Sequence, residues 1–184
     1  MEPYFPIFIS LSGKKAVVIG AGAIACRRVK SLLPFGAEIT VIAPEVCGEL
    51  ELLAKEGRIR LERRPYAPGD LTGAVLAVSA ANDRAVNHGA FLEAKAAGVP
   101  ISVADCKEES TFYFPGIARE GDVVAGVTAS GADHKLAKEA AAAVRECLRN
   151  FAESRESHGK TDHPGREPGK RPGGSPDQAG AESD

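Results

Sequence analysis

The chain has 184 residues, of which 43% are hydrophobic and 26% charged, which fits one globular domain of ordinary size. A formal net charge of −2 excludes a global basic field that would favour nucleic acid or an anionic membrane, and no apolar run approaches the length of a membrane span. The four cysteines are widely separated, so neither a metal site nor a disulfide framework is predicted, and a reducing cytoplasmic compartment is expected.

Residues 1–111 alternate between strand and helix patterns. Short apolar runs predict strands at 16–19, 38–43, 59–62, 74–78 and 100–104. Amphipathic spacing predicts helices at 23–34, 46–56 and 83–97. This β-α-β-α order predicts an α/β fold, a Rossmann-type doubly wound parallel sheet.

The pattern changes after residue 111. Segments 111–118 and 123–128 are strand-like and are joined by Glu120-Gly121-Asp122, which indicates a hairpin. A last helix is predicted at 133–150, because apolar side chains fall on one of its faces: Leu136, Ala140, Ala143, Val144 and Cys147.

A hairpin and one helix have little core of their own. Residues 112–151 are therefore predicted to form a small dimerisation unit that packs on a second copy of the chain. Residues 152–184 are rich in proline, glycine and charge, and we predict a disordered tail there.

A glycine loop follows the first strand. Gly20-Ala21-Gly22-Ala23-Ile24-Ala25 has the form G-x-G-x-x-A, in which the first glycine permits a tight turn and the second admits a pyrophosphate. The helix N-terminus then offers N–H groups to the phosphates. A mere tight turn is the alternative, but the position between strand and helix favours dinucleotide binding by Gly20, Gly22, Ala23 and Ile24.

The acid that usually binds the ribose is missing from the end of the second strand. Val41-Ile42-Ala43-Pro44 occupies its place, and Glu45 is more typical of a first helical turn. Ala43 and Pro44 remain candidates for cofactor contact. The residues alone do not decide between NAD and NADP.

Catalytic candidates are few, since no Tyr-x-x-x-Lys pair occurs. Asp105 ends the fifth strand, where proton-transfer groups lie beside a cofactor crevice; an ordinary loop carboxylate or a helix cap is the alternative. Other polar residues are expected at the same edge: Ser79, Asn82 and Asp83, which follow the fourth strand and are candidates for cofactor binding, and Ser130 and His134, which begin the last helix.

A series of short segments matches one known family. They are Tyr4–Phe8, Gly13–Gly22, Arg27–Val29, Val41–Pro44, Ser79–Asp83 with Asn87, Ile101–Asp105, Phe114-Pro115, Ser130-Gly131 and Leu136-Ala137. In their order and spacing, residues 3–148 resemble precorrin-2 dehydrogenase, the N-terminal module of siroheme synthase.

The resemblance implies NAD-dependent oxidation of precorrin-2 to sirohydrochlorin by a homodimer, with the functional aspartate at Asp105. Some relatives also insert ferrous iron. The chain departs from the family at Ser102 and at His134-Lys135. The substrate-binding candidates are Ser130, His134, Lys135 and Arg119.

Three alternatives remain: a bifunctional dehydrogenase and ferrochelatase, a chelatase without dehydrogenase activity, and a non-catalytic NAD-binding regulatory module. Precorrin-2 carries eight carboxylates, so binding it requires a local basic patch. The candidates for this patch are Arg27, Arg28, Arg119, Lys135 and Lys138.

Overall fold

The computed structural model describes residues 5–129 and 133–158 and contains two sheets. The larger has five parallel strands in the order β3-β2-β1-β4-β5. Its strands are β1 (Lys15–Ile19), β2 (Glu38–Ile42), β3 (Arg60–Glu62), β4 (Leu76–Ser79) and β5 (Ile101–Val103). The helices that connect them are α1 (Ala23–Leu32), α2 (Gly48–Lys55) and α3 (Arg84–Ala97). The predicted Rossmann-type sheet is confirmed.

Strand β1 lies at the centre of the sheet and is buried on both faces. Ala16 and Val18 contribute to a core cluster that contains residues of α1 and α2, whereas Val17 and Ile19 contribute to a second cluster with residues of α3. This division follows from the two-residue period of a strand, which sends successive side chains to opposite faces. The apolar run at 16–19 within β1 is the consequence of helices on both sides.

The small sheet is an antiparallel hairpin of β6 (Gly116–Glu120) and β7 (Val123–Val127). It begins later than the predicted strand at residue 111. Thr111 lies beside β5 instead, where its N–H donates to the Ile101 carbonyl (2.8 Å) and its hydroxyl accepts from the Ile101 N–H (2.8 Å). Pro115 then separates this segment from the hairpin.

Helix α4 (His134–His158) packs against the hairpin, and it continues beyond the predicted end at residue 150. The assignment of 152–158 to a disordered tail is therefore wrong. These residues contain neither proline nor glycine, and the Arg155 guanidinium lies 6.0 Å from the Phe151 ring centre. The rest of the predicted tail, 159–184, lies outside the described residues.

Helix α4 meets the hairpin at a point of close approach. A Cβ atom on Gly116 of β6 would lie 2.6 Å from the Ala141 Cβ, so glycine allows the strand and helix to approach closely. Ala141 is buried there. Of the apolar face predicted for this helix, Ala140 and Val144 are half-buried, and Leu136, Ala143 and Cys147 are exposed. None of the described helices combines the length and hydropathy that crossing a membrane requires.

Candidate functional site

The carboxyl edge of the large sheet carries the glycine loop directly after β1. Gly20 has φ +94°, and a Cβ there would lie 2.3 Å from the Ala80 carbonyl oxygen. The Gly20 N–H donates to the Ile42 carbonyl at 2.9 Å. Glycine is thus required at this position, because the loop is pressed between the ends of β2 and β4.

The first turn of α1 forms an open cradle. Gly22 is the N-cap, no side chain caps the helix, and nothing lies within 4 Å of where a Gly22 Cβ would be. The N–H groups of a first helical turn have no partner within the helix, and the helix dipole adds positive potential. Ala25 is buried against the sheet, while Ile24 is 43% exposed at the mouth. A pyrophosphate fits this cradle.

The end of β2 lies beside the glycine loop. Ala43 is buried and donates its N–H to the Glu62 carbonyl at 3.1 Å, while Pro44 is exposed. The Cys47 N–H donates to the Ala21 carbonyl at 3.2 Å. The loop after β2 is therefore attached to the glycine loop, as a shared cofactor site requires.

Arginines follow β3 next to this edge, and carboxylates engage both of them. Arg63 donates to Glu51 at 2.9 Å. The Arg64 guanidinium contacts Glu62 and lies 2.7 Å from the nearest Asp70 oxygen, and these hydrogen bonds raise its pKa. The positive charges near the end of β2 are thus balanced locally.

A thiol lies one turn into α1. The Cys26 thiol donates to Glu49 Oε2 at 2.9 Å, and Lys30 pairs with the same carboxylate. Burial, together with this hydrogen bond, raises the Cys26 pKa to about 11. The bonds from Cys26 and Lys30 lower the Glu49 pKa. This contact joins α1 to α2 behind the cradle.

Asp105 lies at the carboxyl edge, after β5, with its side chain 37% exposed. Its Oδ2 accepts from Asn87 Nδ2 at 2.8 Å, and its Oδ1 lies 3.5 Å from Arg84 Nη1. Asn87 also contacts Ser79 and Ala81 at the end of β4. The structure therefore links Asp105, through Asn87, to the segment that touches Gly20.

A second carboxylate supports this arrangement. Glu109 accepts from Arg84 and lies 2.8 Å from His88 Nδ1, and these contacts lower its pKa, the Arg84 bond contributing most. Arg84 thus bridges two acids beside the candidate cofactor site. Sequence reasoning gave no role to Arg84 or His88, although their spacing of four residues places them on one face of a helix, and it noted Asn87 only within the family match.

Three more residues predicted to bind the cofactor lie at or after the end of β4, and their side chains differ in exposure and in hydrogen bonding. Ser79 is fully buried and donates its hydroxyl to Asn87 Oδ1 at 2.7 Å. Asp83 caps α3, because its Oδ1 accepts from the Ala85 N–H at 2.8 Å. Asn82 is exposed between them. Asp83 is exposed as well, but its side chain is engaged in the cap, whereas Ser79 is inaccessible to a cofactor.

Of the predicted substrate residues, the side chains of Arg119 and Lys135 are described, and none of their contacts is with the glycine loop. Arg119 donates to the carbonyls of Pro34 (3.3 Å) and Gly121 (3.2 Å), which places it by the far end of α1. Lys135 is exposed and pairs loosely with Glu139 at 3.9 Å. Ser130 and the side chain of His134 lie outside the described residues.

The remaining candidates for the basic patch lie on two different helices, Arg27 and Arg28 on α1 and Lys138 on α4. The Arg28 guanidinium lies 4.2 Å from the centre of the Phe114 ring, and burial lowers its pKa. Arg27 and Lys138 are exposed. No group of three or more His, Cys, Asp or Glu side chains suited to a metal ion occurs in the described segments.

The profile of the NAD_binding_7 family, described as NAD(P)-binding, matches residues 7–116. The chain is 43% identical over 143 residues to a multifunctional siroheme biosynthesis protein HemA of Ruminiclostridium josui, and 34% identical over 145 residues to a siroheme synthase of Methylococcus capsulatus. These matches cover 77% and 79% of this chain but only 28% and 31% of those proteins.

Among solved structures, SirC, precorrin-2 dehydrogenase, superposes with a TM-score of 0.70 at 26% sequence identity. The match covers 87% of this chain and 83% of that chain. It therefore includes the hairpin unit as well as the parallel sheet.

Proposed function

Because this chain belongs to the NAD_binding_7 family of NAD(P)-binding domains, we propose that it is an NAD-dependent precorrin-2 dehydrogenase that forms sirohydrochlorin in siroheme biosynthesis. The observation that carries the proposal is the link from the glycine cradle to Asp105. One side-chain network, through Asn87, holds the candidate base at the sheet edge that also carries the cofactor loop. The precorrin-2 dehydrogenase and siroheme synthases similar to this chain support the substrate.

We propose NAD rather than NADP as the cofactor. A 2′-phosphate needs an available guanidinium or ammonium group near the end of β2. Arg63 and Arg64 instead pair with Glu51 and with Glu62 and Asp70. Glu45 is exposed beside Pro44 and would repel an added phosphate.

The reaction removes one hydride and one proton from precorrin-2. Bound NAD⁺ supplies the hydride acceptor, so the products are sirohydrochlorin, NADH and a proton. The α1 N-terminus binds the pyrophosphate, and Gly22 leaves room for it. Asp105 accepts the proton from the tetrapyrrole and passes it to solvent, since its carboxylate is partly exposed. Asn87 and Arg84 hold that carboxylate in place.

The proposal includes a homodimer in a reducing, cytoplasmic setting. Support for the dimer comes from α4, whose exposed Leu136, Ala143 and Cys147 form an apolar stripe that the hairpin does not cover. The reducing setting rests on the four cysteines, all of which are free.

The test is incubation of the purified chain with precorrin-2 and NAD, followed by the tetrapyrrole spectrum and NADH absorbance. We expect sirohydrochlorin and NADH in equal amounts. In a separate assay the chain is supplied with sirohydrochlorin and ferrous iron but no NAD, and slow or absent siroheme formation is expected. NAD binding without NADH formation would favour a regulatory module, and rapid iron insertion without oxidation would favour a chelatase.

A further inference from the structure

Asn87 is an unusual core residue. Ser79 and Asn87 are the polar side chains buried within the described part of the chain, and both are fully inaccessible to solvent. Burying an amide costs free energy unless it is hydrogen-bonded. Asn87 sits on α3, in the turn that faces the end of β4, where the cofactor loop and the Asp105 segment meet.

The Asn87 amide makes four hydrogen bonds. Its Oδ1 accepts from the Ser79 hydroxyl (2.7 Å) and the Ala81 N–H (3.0 Å). Its Nδ2 donates to the Ala81 carbonyl (3.0 Å) and to Asp105 Oδ2 (2.8 Å). The backbone of Ala81 fixes the orientation of the Asn87 amide, because the Ala81 N–H can only donate to Oδ1 and the Ala81 carbonyl can only accept from Nδ2. An N–H of Asn87 must therefore point at Asp105.

Three of these bonds are sufficient to attach α3 to the segment after β4. The fourth bond reaches a partly exposed carboxylate on another strand and is not needed for that attachment. A carboxylate that is hydrogen-bonded only to solvent has no fixed orientation. A hydrogen bond from a buried amide whose other hydrogen bonds are all satisfied holds the carboxylate in one orientation. Ala81 follows Ala80, whose carbonyl contacts Gly20, so the same amide aligns Asp105 with the glycine loop.

We propose that Asn87 is the positioning residue for Asp105, setting the place of the catalytic carboxylate relative to the cofactor cradle. The inference rests on the proposed function, because it assigns Asn87 a part in the same reaction. Arg84 contributes a weaker restraint, since it lies 3.5 Å from Asp105 and is shared with Glu109.

The decisive variant is Asn87→Asp, which preserves size and keeps an acceptor for Ser79 and Ala81. It replaces the N–H donor by an oxygen, 2.8 Å from Asp105 Oδ2. When the new carboxyl is protonated it can still donate to Asp105, but when it ionises, two like charges face each other and Asp105 is displaced. The ratio of variant to wild-type kcat should then fall about tenfold per pH unit above the pKa of the new carboxyl.

Glu93→Gln is the matched control. Glu93 lies on the same helix and accepts from the Tyr66 hydroxyl and, at 2.9 Å, from the Leu71 N–H, so the exchange disturbs α3 without touching Asp105. Both variants should lower the melting temperature. Only Asn87→Asp should change the pH profile of kcat, and the Kd for NAD should be unchanged in both.

A second measurement does not depend on turnover. Carbon-13 NMR of aspartate-labelled Asn87→Asp should show a carboxyl that keeps its proton near neutral pH, and adding Asp105→Asn should lower the pKa of that carboxyl. No turnover by the wild-type chain would contradict the proposed function. Turnover with a variant-to-wild-type ratio that does not depend on pH, or an NMR titration indifferent to Asp105→Asn, would contradict the role of Asn87.

Discussion

Replacing Gly22 with aspartate is expected to weaken cofactor binding while leaving the stability of the fold unchanged. Gly22 is the N-cap of α1, has no positive φ, and faces open space, so a side chain there meets no steric obstacle. Aspartate is a slightly better N-cap than glycine, by a few tenths of a kcal/mol. The variant without cofactor is therefore expected to be as stable as the wild type or slightly more stable.

The same carboxylate would occupy the cradle proposed for the pyrophosphate. Two unit charges 4 Å apart at a protein surface repel by about 4 kcal/mol, which corresponds to roughly a thousandfold loss of affinity. Gly22→Ala is the control for size, because it adds a methyl group without charge, and it should weaken binding far less.

Titration calorimetry with NAD and thermal melting of both variants measure these effects. The expected pattern is a collapse of NAD affinity in Gly22→Asp with an unchanged melting temperature. Wild-type affinity in Gly22→Asp would refute the cradle. A lower melting temperature without cofactor would refute the assignment of Gly22 as an unobstructed cap.

Three further predictions follow from particular contacts. Gly20→Ala should reduce the free energy of unfolding in urea by at least about 2 kcal/mol, because φ is +94° and its Cβ would meet the Ala80 carbonyl; unchanged stability would contradict that packing. The Cys26 pKa of about 11 predicts roughly 100-fold slower alkylation at pH 8 than for a thiol of ordinary pKa, and Glu49→Gln should accelerate it; a rate insensitive to that change would contradict the contact. Light scattering at micromolar concentration should give a dimer mass that Leu136→Glu shifts towards the monomer, and a monomeric wild type would contradict the dimer.

Local patterns were sufficient to predict the sheet and the glycine loop. Residues 16–19 of strand β1 are apolar because they are buried between helices on both faces, and the neighbouring strands follow from the alternation of elements. The position of Asp105 at the carboxyl edge is a consequence of that topology. These features depend on short stretches of chain, so the amino-acid sequence is enough to find them.

Contacts between distant elements could not be predicted in the same way. The bond from Asn87 to Asp105 depends on how α3 lies across β4 and β5, which periodicity does not specify. The contact of α4 with the hairpin depends on the close approach of Ala141 to Gly116, which helical periodicity does not specify. The end of α4 was misplaced because the charged stretch after residue 150 is compatible with both an exposed helix and a disordered chain.

The most direct test of the proposed oxidation is turnover by Asp105→Asn. This change keeps the size of the side chain, and its amide can no longer accept the proton. Asp122→Asn, at the exposed hairpin turn, is the matched control. Initial rates of sirohydrochlorin and NADH formation from precorrin-2 should fall by roughly 10²–10⁴ in Asp105→Asn alone, with the Kd for NAD unchanged. Sirohydrochlorin formation by Asp105→Asn at a near wild-type rate would contradict the assignment of Asp105 as the base.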